Sequence, residues 1–299
     1  MADATILNSD LSALEMTYVS DLIVEAGRNY SNPLKYFTNV SNEIGYKGKA
    51  CAVQIAPVLS SYLATDGNSL TLNNTVATTS TVTLNKDRVF AFSRTNVAGA
   101  IAGDVQLRNH LKASIVGMLN DVESDCLSLI TSGITTNVAG TYNTAVTSAA
   151  IQAAGAALDE AKAPQFGRVG ILRHGAKAYD AFTALITYTN TGAQSPLVKD
   201  NSGGIFYNDV TWFKSQALPR NTNNTDNVIL TPGAIAIAMR NPELPVAGAL
   251  CDNIVDTESG LAFQIVSQYD INKRANVWAV QMLYGVSILK ETYGALLKA

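Results

Sequence analysis

Charge is what this chain has least of. Only 15% of its 299 residues are Asp, Glu, Lys or Arg, against about 25% in ordinary soluble proteins. The net charge is −3, and the densest basic patch is the pair Lys273-Arg274, so the sequence shows no basic face of the kind that nucleic-acid readers use. There are 3 cysteines. Cys51, Cys126 and Cys251 stand far apart with no Cys-x-x-Cys, which gives no support to a zinc site or a disulfide framework. Buried reduced thiols in a reducing compartment are the expectation. The 2 histidines, His110 and His174, belong to no pair with metal-ligand spacing. No apolar run approaches the length of a membrane span. The N-terminus, Met1-Ala-Asp-Ala-Thr5, lacks the basic and apolar regions of a secretory signal. Without such a signal, the glycosylation triplets at Asn29, Asn39, Asn73 and Asn223 read as products of an Asn/Thr-rich composition.

Catalytic motifs are missing too. Gly45-Tyr-Lys-Gly48-Lys49 hints at a phosphate loop, but Glu43 and Ala50 occupy two required positions. Neither GxSxG nor GxGxxG occurs. Asp159-Glu160 beside Lys162 reads as a helix end rather than an acid/base pair. The expectation is a protein with no catalytic, cofactor-binding or metal-ligating residues, and so not an enzyme.

What the chain does have is apolar residues, 47% of the total, arranged with clear period. Leu107, Leu111, Ile115, Met118, Val122, Cys126 and Leu129 recur at steps of three and four, with no proline between them. This spacing predicts one helix over 97–132, roughly 50 Å long. Gly99 and Gly103 weaken its first turns. Arg108, Lys112, Asp121, Glu123 and Asp125 are expected mostly off its apolar face. Such a helix is either the core helix of an α+β domain or a spine with sheets laid along it.

Around that helix the period shifts. Residues 1–10 read as an extended arm. A helix follows over 11–26, capped by Asp10 and ended by Gly27, then a linker-like stretch over 28–49. Val53, Ile55 and Leu59, later Leu70 and Leu72, then Val82 and Leu84 alternate as strands. Asp66-Gly67-Asn68-Ser69 supplies a turn. Residues 50–93 thus form a long hairpin with a polar tip and little core of its own. A two-stranded ribbon is marginal in water, so it lies either on its own domain or on another subunit. After the helix, 133–144 reads as a loop. Helices are expected at 148–163 and 175–185, strands at 168–172, 210–218, 227–230 and 234–239, and polar loops at 187–204 and 220–227. The end of the chain is strand-like at 261–266 and 277–289, with Gly285 as a bend, and again at 292–297.

The stretch Leu158-Asp-Glu-Ala-Lys-Ala-Pro-Gln-Phe-Gly-Arg168, followed by Val169-Gly-Ile-Leu172 and the helix at Tyr179, resembles a segment of tailed-phage major capsid proteins. In that family a helix ending in Leu-Asp-x-x-x-x-Pro-x-x-Gly-Arg precedes a short apolar strand and a proline-led helix. Here His174 and Gly175 stand where the proline usually does. Ser215 with Leu218-Pro219, Ala234-Ile-Ala-Ile-Ala238 and Tyr284-Gly285 with the apolar tail extend the resemblance over almost the whole chain.

The resemblance implies the Hong-Kong-ninety-seven-type α+β fold. Residues 1–44 would be an N-arm and 45–93 an extended E-loop with no partner in its own molecule, lying on a neighbouring subunit. Residues 94–144 and 257–299 would form a P-domain with a spine helix, and 145–256 an α/β A-domain. It implies a homo-oligomer of pentamers and hexamers in an icosahedral shell, with scaffolding, portal and decoration proteins as partners. Double-stranded DNA would be enclosed without sequence-specific binding, with no membrane. The virion capsid would be its location, after assembly in the host cytoplasm. An encapsulin-type nanocompartment shell is the nearest rival, and an enzyme or sugar-binding module with a polar pocket is a third class. Some family members cross-link chains through a lysine near the E-loop tip. The hairpin lysines here, Lys47, Lys49 and Lys86, lie toward its base. We therefore expect no covalent multimers when assembled particles are run on denaturing gels.

Overall fold

In the computed structural model of this chain, the described residues are 36–43, 50–55, 61, 78–186, 205–221, 224–244, 249–255 and 261–299. The expected helix over 11–26, the phosphate-loop-like 45–49, the hairpin turn at 66–69 and the loop at 187–204 lie outside them.

The apolar period of the central stretch does produce one helix. α1, Asn96–Gly133, is 38 residues long and follows directly on strand β4, Lys86–Thr95. Leu111, Ile115, Met118, Val122 and Cys126 are buried as their spacing predicts. Leu119, Leu127 and Ile130 join them, while Leu129 lies half-buried at the flank. A helix between two sheets needs a wider apolar stripe than one seam supplies. That wider stripe also takes in Glu123, which is buried and not off the face as expected.

Two sheets are laid along this helix. The first contains β1 (Thr38–Asn39), β4, β11 (Ile235–Arg240), β12 (Leu250–Val255), β13 (Ala262–Asp270) and β14 (Ala275–Ile288). Strand β14 is its axis. It pairs with β4 along one side, and with β13 and then β11 along the other. The second sheet contains β5 (Val138–Gly140), β6 (Val169–Arg173), β7 (Ile205–Tyr207), β8 (Val210–Ser215), β9 (Arg220–Asn221), β10 (Asn224–Leu230) and β15 (Gly294–Lys298). Its β6 and β8 run parallel. Helices α2 (Ser148–Glu160) and α3 (Tyr179–Ile186) complete the α/β part. There Ile151, Leu158, Phe182 and Trp212 share one core. Thr147 caps α2, accepting from the Ala150 N–H, which satisfies one of the donors that a helix start leaves open.

Sheet membership cuts across the division expected from the sequence. Strands β11 and β12 fall within 145–256, yet they belong to the sheet of β4 and β14. Strand β15 falls within 257–299, yet it pairs with β10 and β5. An alternating strand records that one face is buried, but not against which neighbour. For the same reason 133–144 holds the short strand β5, and β9 and β10 pair antiparallel through Asn221 and Asn224, where loops were expected.

Two further expectations change. The linker-like reading fails at 36–43. Strand β1 pairs in parallel with β11, and Phe37 and Val40 are buried. The resemblance implies a hairpin with no partner in its own molecule that rests on an adjoining copy, and at its base that expectation fails, because it packs on its own chain. Strands β2 (Ala50–Ile55) and β3 (Thr78–Thr83) pair with each other. Cys51, Val53, Val82 and Leu84 then close on Val40, Ala236 and Ala238. The residues beneath are small, and a flat surface of that kind has no signature in the ribbon's own sequence. Gly285 makes the approach close. No bulge interrupts β14 there, but a Cβ on Gly285 would stand 2.0 Å from the Thr83 carbonyl oxygen, so the glycine admits the ribbon backbone.

Candidate functional site

With few charges and no catalytic constellation, the informative surfaces are those that hold the layers together or remain uncovered. No group of three or more His, Cys, Asp or Glu side chains is gathered for a metal among the described residues. No described helix is long and apolar enough to cross a membrane. His110 lies against Phe92, ring centroids 5.5 Å apart, and His174 is exposed. Cys51 and Cys126 are buried thiols, and burial pushes the Cys126 thiol well up from its ordinary value.

The turn that carried the family resemblance is a stapled structure. Arg168, itself buried, follows the positive-φ Gly167 (φ 76°) and reaches back across the turn. Its Nη2 contacts Asp159 Oδ1 at 2.6 Å and donates to the Ala163 carbonyl at 3.4 Å, while Nε donates to the Pro164 carbonyl at 3.0 Å. The end of α2, the proline turn and the start of β6 are thereby fixed together, and Asp159 serves as the partner of an arginine. Replacing Arg168 with Ala removes several charge-assisted bonds at once. We expect a loss of about 2 kcal/mol in urea unfolding. Lys should not restore it, because its single nitrogen cannot reproduce the fixed spacing of Nε and Nη2, which bond different partners here.

A second set of contacts joins α1 to the first sheet. Tyr284, fully buried on β14, donates to Asp125 Oδ2 at 2.5 Å. Lys86 Nζ lies 2.8 Å from Asp125 Oδ1, and Arg88 bridges Asp121 and Asp125 at 3.6 and 3.5 Å. Two positions before Asp125, Glu123 accepts from Ser215 on β8, tying the same helix to the second sheet. Burial pushes the Glu123 carboxyl above its ordinary 4.5, and the Ser215 hydroxyl only partly offsets this. Sequence reading marked Ser215 and missed its partner, which lies 92 positions away.

The first sheet's other face is the open one. By register, Val89, Ala91 and Ser93 of β4 stand beside Gln281, Ala279 and Val277 of β14. Val266 and Gln268 of β13 stand beside Ala279 and Val277. The ribbon base covers the end of this face near Ala236, Ala238 and Leu283. Beyond it, Val89 is 54% exposed, and a hollow of about 620 Å³ opens over Val266, Val277 and Ala279 toward Tyr269 and Ile271.

Neither a protein-family model nor a curated protein sequence matches this chain. Solved structures do. The capsid of cyanophage P-SCSP1u matches at a TM-score of 0.55 and 12% identity, covering 88% of this chain and 86% of that one. The capsid of a native GTA particle matches at 0.56 and 10%, covering 92% and 90%. The holo-SrpI encapsulin complex of Synechococcus elongatus matches at 0.55 and 14%, covering 87% and 84%. The chain therefore has the mixed α+β fold of phage major capsid proteins, the Hong-Kong-ninety-seven type, at a distance of 10–15% identity.

Proposed function

We propose that this chain is the shell subunit of a tailed bacteriophage, assembling as pentamers and hexamers into an icosahedral capsid around double-stranded DNA. It acts by association and not by catalysis. The observation that carries this is a fold likeness spanning about nine-tenths of both chains to subunits of assembled capsids. The ribbon lying over a largely apolar sheet face, most of which it leaves uncovered, supports it, because interface cores are depleted in charge.

In this reading residues 1–44 are the N-arm and 45–93 the E-loop, whose return strand Lys86–Thr95 is anchored beside β14. Residues 94–144 and 257–299 supply the P-domain around the spine helix α1, and 145–256 the A-domain. The sheet pairings support counting β11 and β12 with the P-domain and β15 with the A-domain. Scaffolding, portal and decoration proteins are the expected partners. The packaged DNA is held without sequence reading, and the location is the virion, after assembly in the host cytoplasm.

The encapsulin likeness favours one second reading, a nanocompartment shell around a protein cargo. Size-exclusion chromatography with negative-stain microscopy tests both. Closed shells of uniform size are expected, and a small discrete oligomer overturns the shell function. Nucleic acid in the particles selects the phage reading, and a co-purifying protein cargo the encapsulin one.

A further inference from the structure

Phe166 is 91% exposed, the most exposed large hydrophobic residue among those described. It sits at the tip of the Arg168-stapled turn, between Gln165 and Gly167. A surface phenylalanine on a loose loop would fold back onto apolar neighbours, but this one has little freedom to do so. Arg168 bonds the Pro164 and Ala163 carbonyls on one side of it. On the other, Gly167 holds a positive φ against Pro232, whose Cγ would lie 3.2 Å from a Cβ at that glycine. Lys162, at φ 54°, closes α2 as its left-handed end residue, its N–H donating to the Asp159 carbonyl and the Ala163 N–H to the Leu158 carbonyl. The turn is thus fixed at both ends with the ring outward. A rigid aromatic already in its bound position gives up little entropy on binding, and such residues are enriched among interface hot spots.

We propose that Phe166 is a preformed anchor that inserts into a second copy of this chain, so that this turn is an intersubunit contact of the shell. The inference rests on the shell reading above. The fold likeness to subunits of assembled capsids makes a further copy of this chain the partner. A single ring is a poor anchor in a lipid surface. A copy of this charge-poor chain offers apolar surface, such as the part of the open sheet face bearing Val89, Ala91 and Ala279, with Asp87 at its edge.

The test uses the full chain. Phe166→Ala and Phe166→Asp should leave the thermal unfolding of the unassembled subunit unchanged. The alanine variant should raise the chain concentration needed for particle formation about 30-fold, the size of a hot-spot truncation. The aspartate variant should abolish assembly, and Phe166→Tyr should largely restore it. A photo-reactive benzoylphenylalanine placed at 166 should cross-link two chains in particles and none in dilute subunits, with the second site mapping to another copy. Wild-type particles accompanied by an alanine variant that assembles at the same concentration overturn the inference, as does a cross-link to a different protein or none at all. A wild-type chain that forms no particles overturns the shell reading instead.

Discussion

Gly285→Ala is expected to destabilise the folded subunit by about 3 kcal/mol and to release the ribbon from the sheet beneath it. The added methyl would stand 2.0 Å from the Thr83 oxygen, 2.6 Å from its carbonyl carbon and 3.1 Å from the Leu84 nitrogen. These are backbone atoms, so no side-chain rotation relieves the clash. Strand β14 cannot retreat, because β4 and β11 flank it at this point. The ribbon must therefore lift, uncovering Ala236 and Ala238 and exposing Val82, now fully buried. The readouts are urea unfolding and limited proteolysis at residues 78–83. In particles the same substitution should lower assembly yield, since the ribbon would leave its base at a different angle. A variant with wild-type stability and unchanged proteolysis would falsify the close-approach account of this glycine.

How much of this was legible in the sequence depends on the range over which each feature acts. Helix α1 was readable to within a residue at either end, because a proline-free apolar period over 36 positions leaves little else to form. The strands were readable by alternation. Their partners were not, since a strand's own pattern is the same in either sheet. That is why β11, β12 and β15 fell on unexpected sides.

Glu123 shows a second limit. A carboxylate in a helical pattern is assigned to the solvated side, and only the Ser215 hydroxyl, brought over from β8, explains its burial. The Leu158–Arg168 signature was legible as a resemblance, while its mechanical meaning needed coordinates, since Arg168 reaches back nine residues to Asp159. Phe166 was quoted within that signature without being singled out. The available signal was a bulky aromatic placed immediately before a turn glycine, where a polar or small residue is the usual choice.

Opposite pH signatures are expected from two carboxylates two positions apart on α1. Burial raises the Asp125 pKa, but hydrogen bonds from Lys86 and Tyr284 and the charges of Lys86 and Arg88 outweigh it and hold the carboxyl below its ordinary 3.8. A depressed folded pKa contributes stability that is present above the unfolded value and lost as pH falls through the folded one. Asp125→Asn should therefore cost about 3 kcal/mol near neutral pH, where the half-buried ion pairs to Lys86 and Arg88 are lost and one of the two oxygens shared by Lys86 and Tyr284 becomes a donor. That deficit should shrink as the pH falls below the ordinary 3.8 and through the lowered folded value, where the wild-type carboxyl protonates as well.

Glu123 carries the reverse sign. Its raised folded pKa means that its contribution is fully present below 4.5 and lost as pH rises through the folded value. Glu123→Gln should then be more stable than wild type at neutral pH and indistinguishable from it in acid. Urea unfolding of the unassembled subunit across the range from about pH 3 to 7 resolves both. An asparagine deficit of the same size at both ends of that range would show that Asp125 acts by shape and not by charge. In that case the helix would be held to β4 and β14 by packing alone.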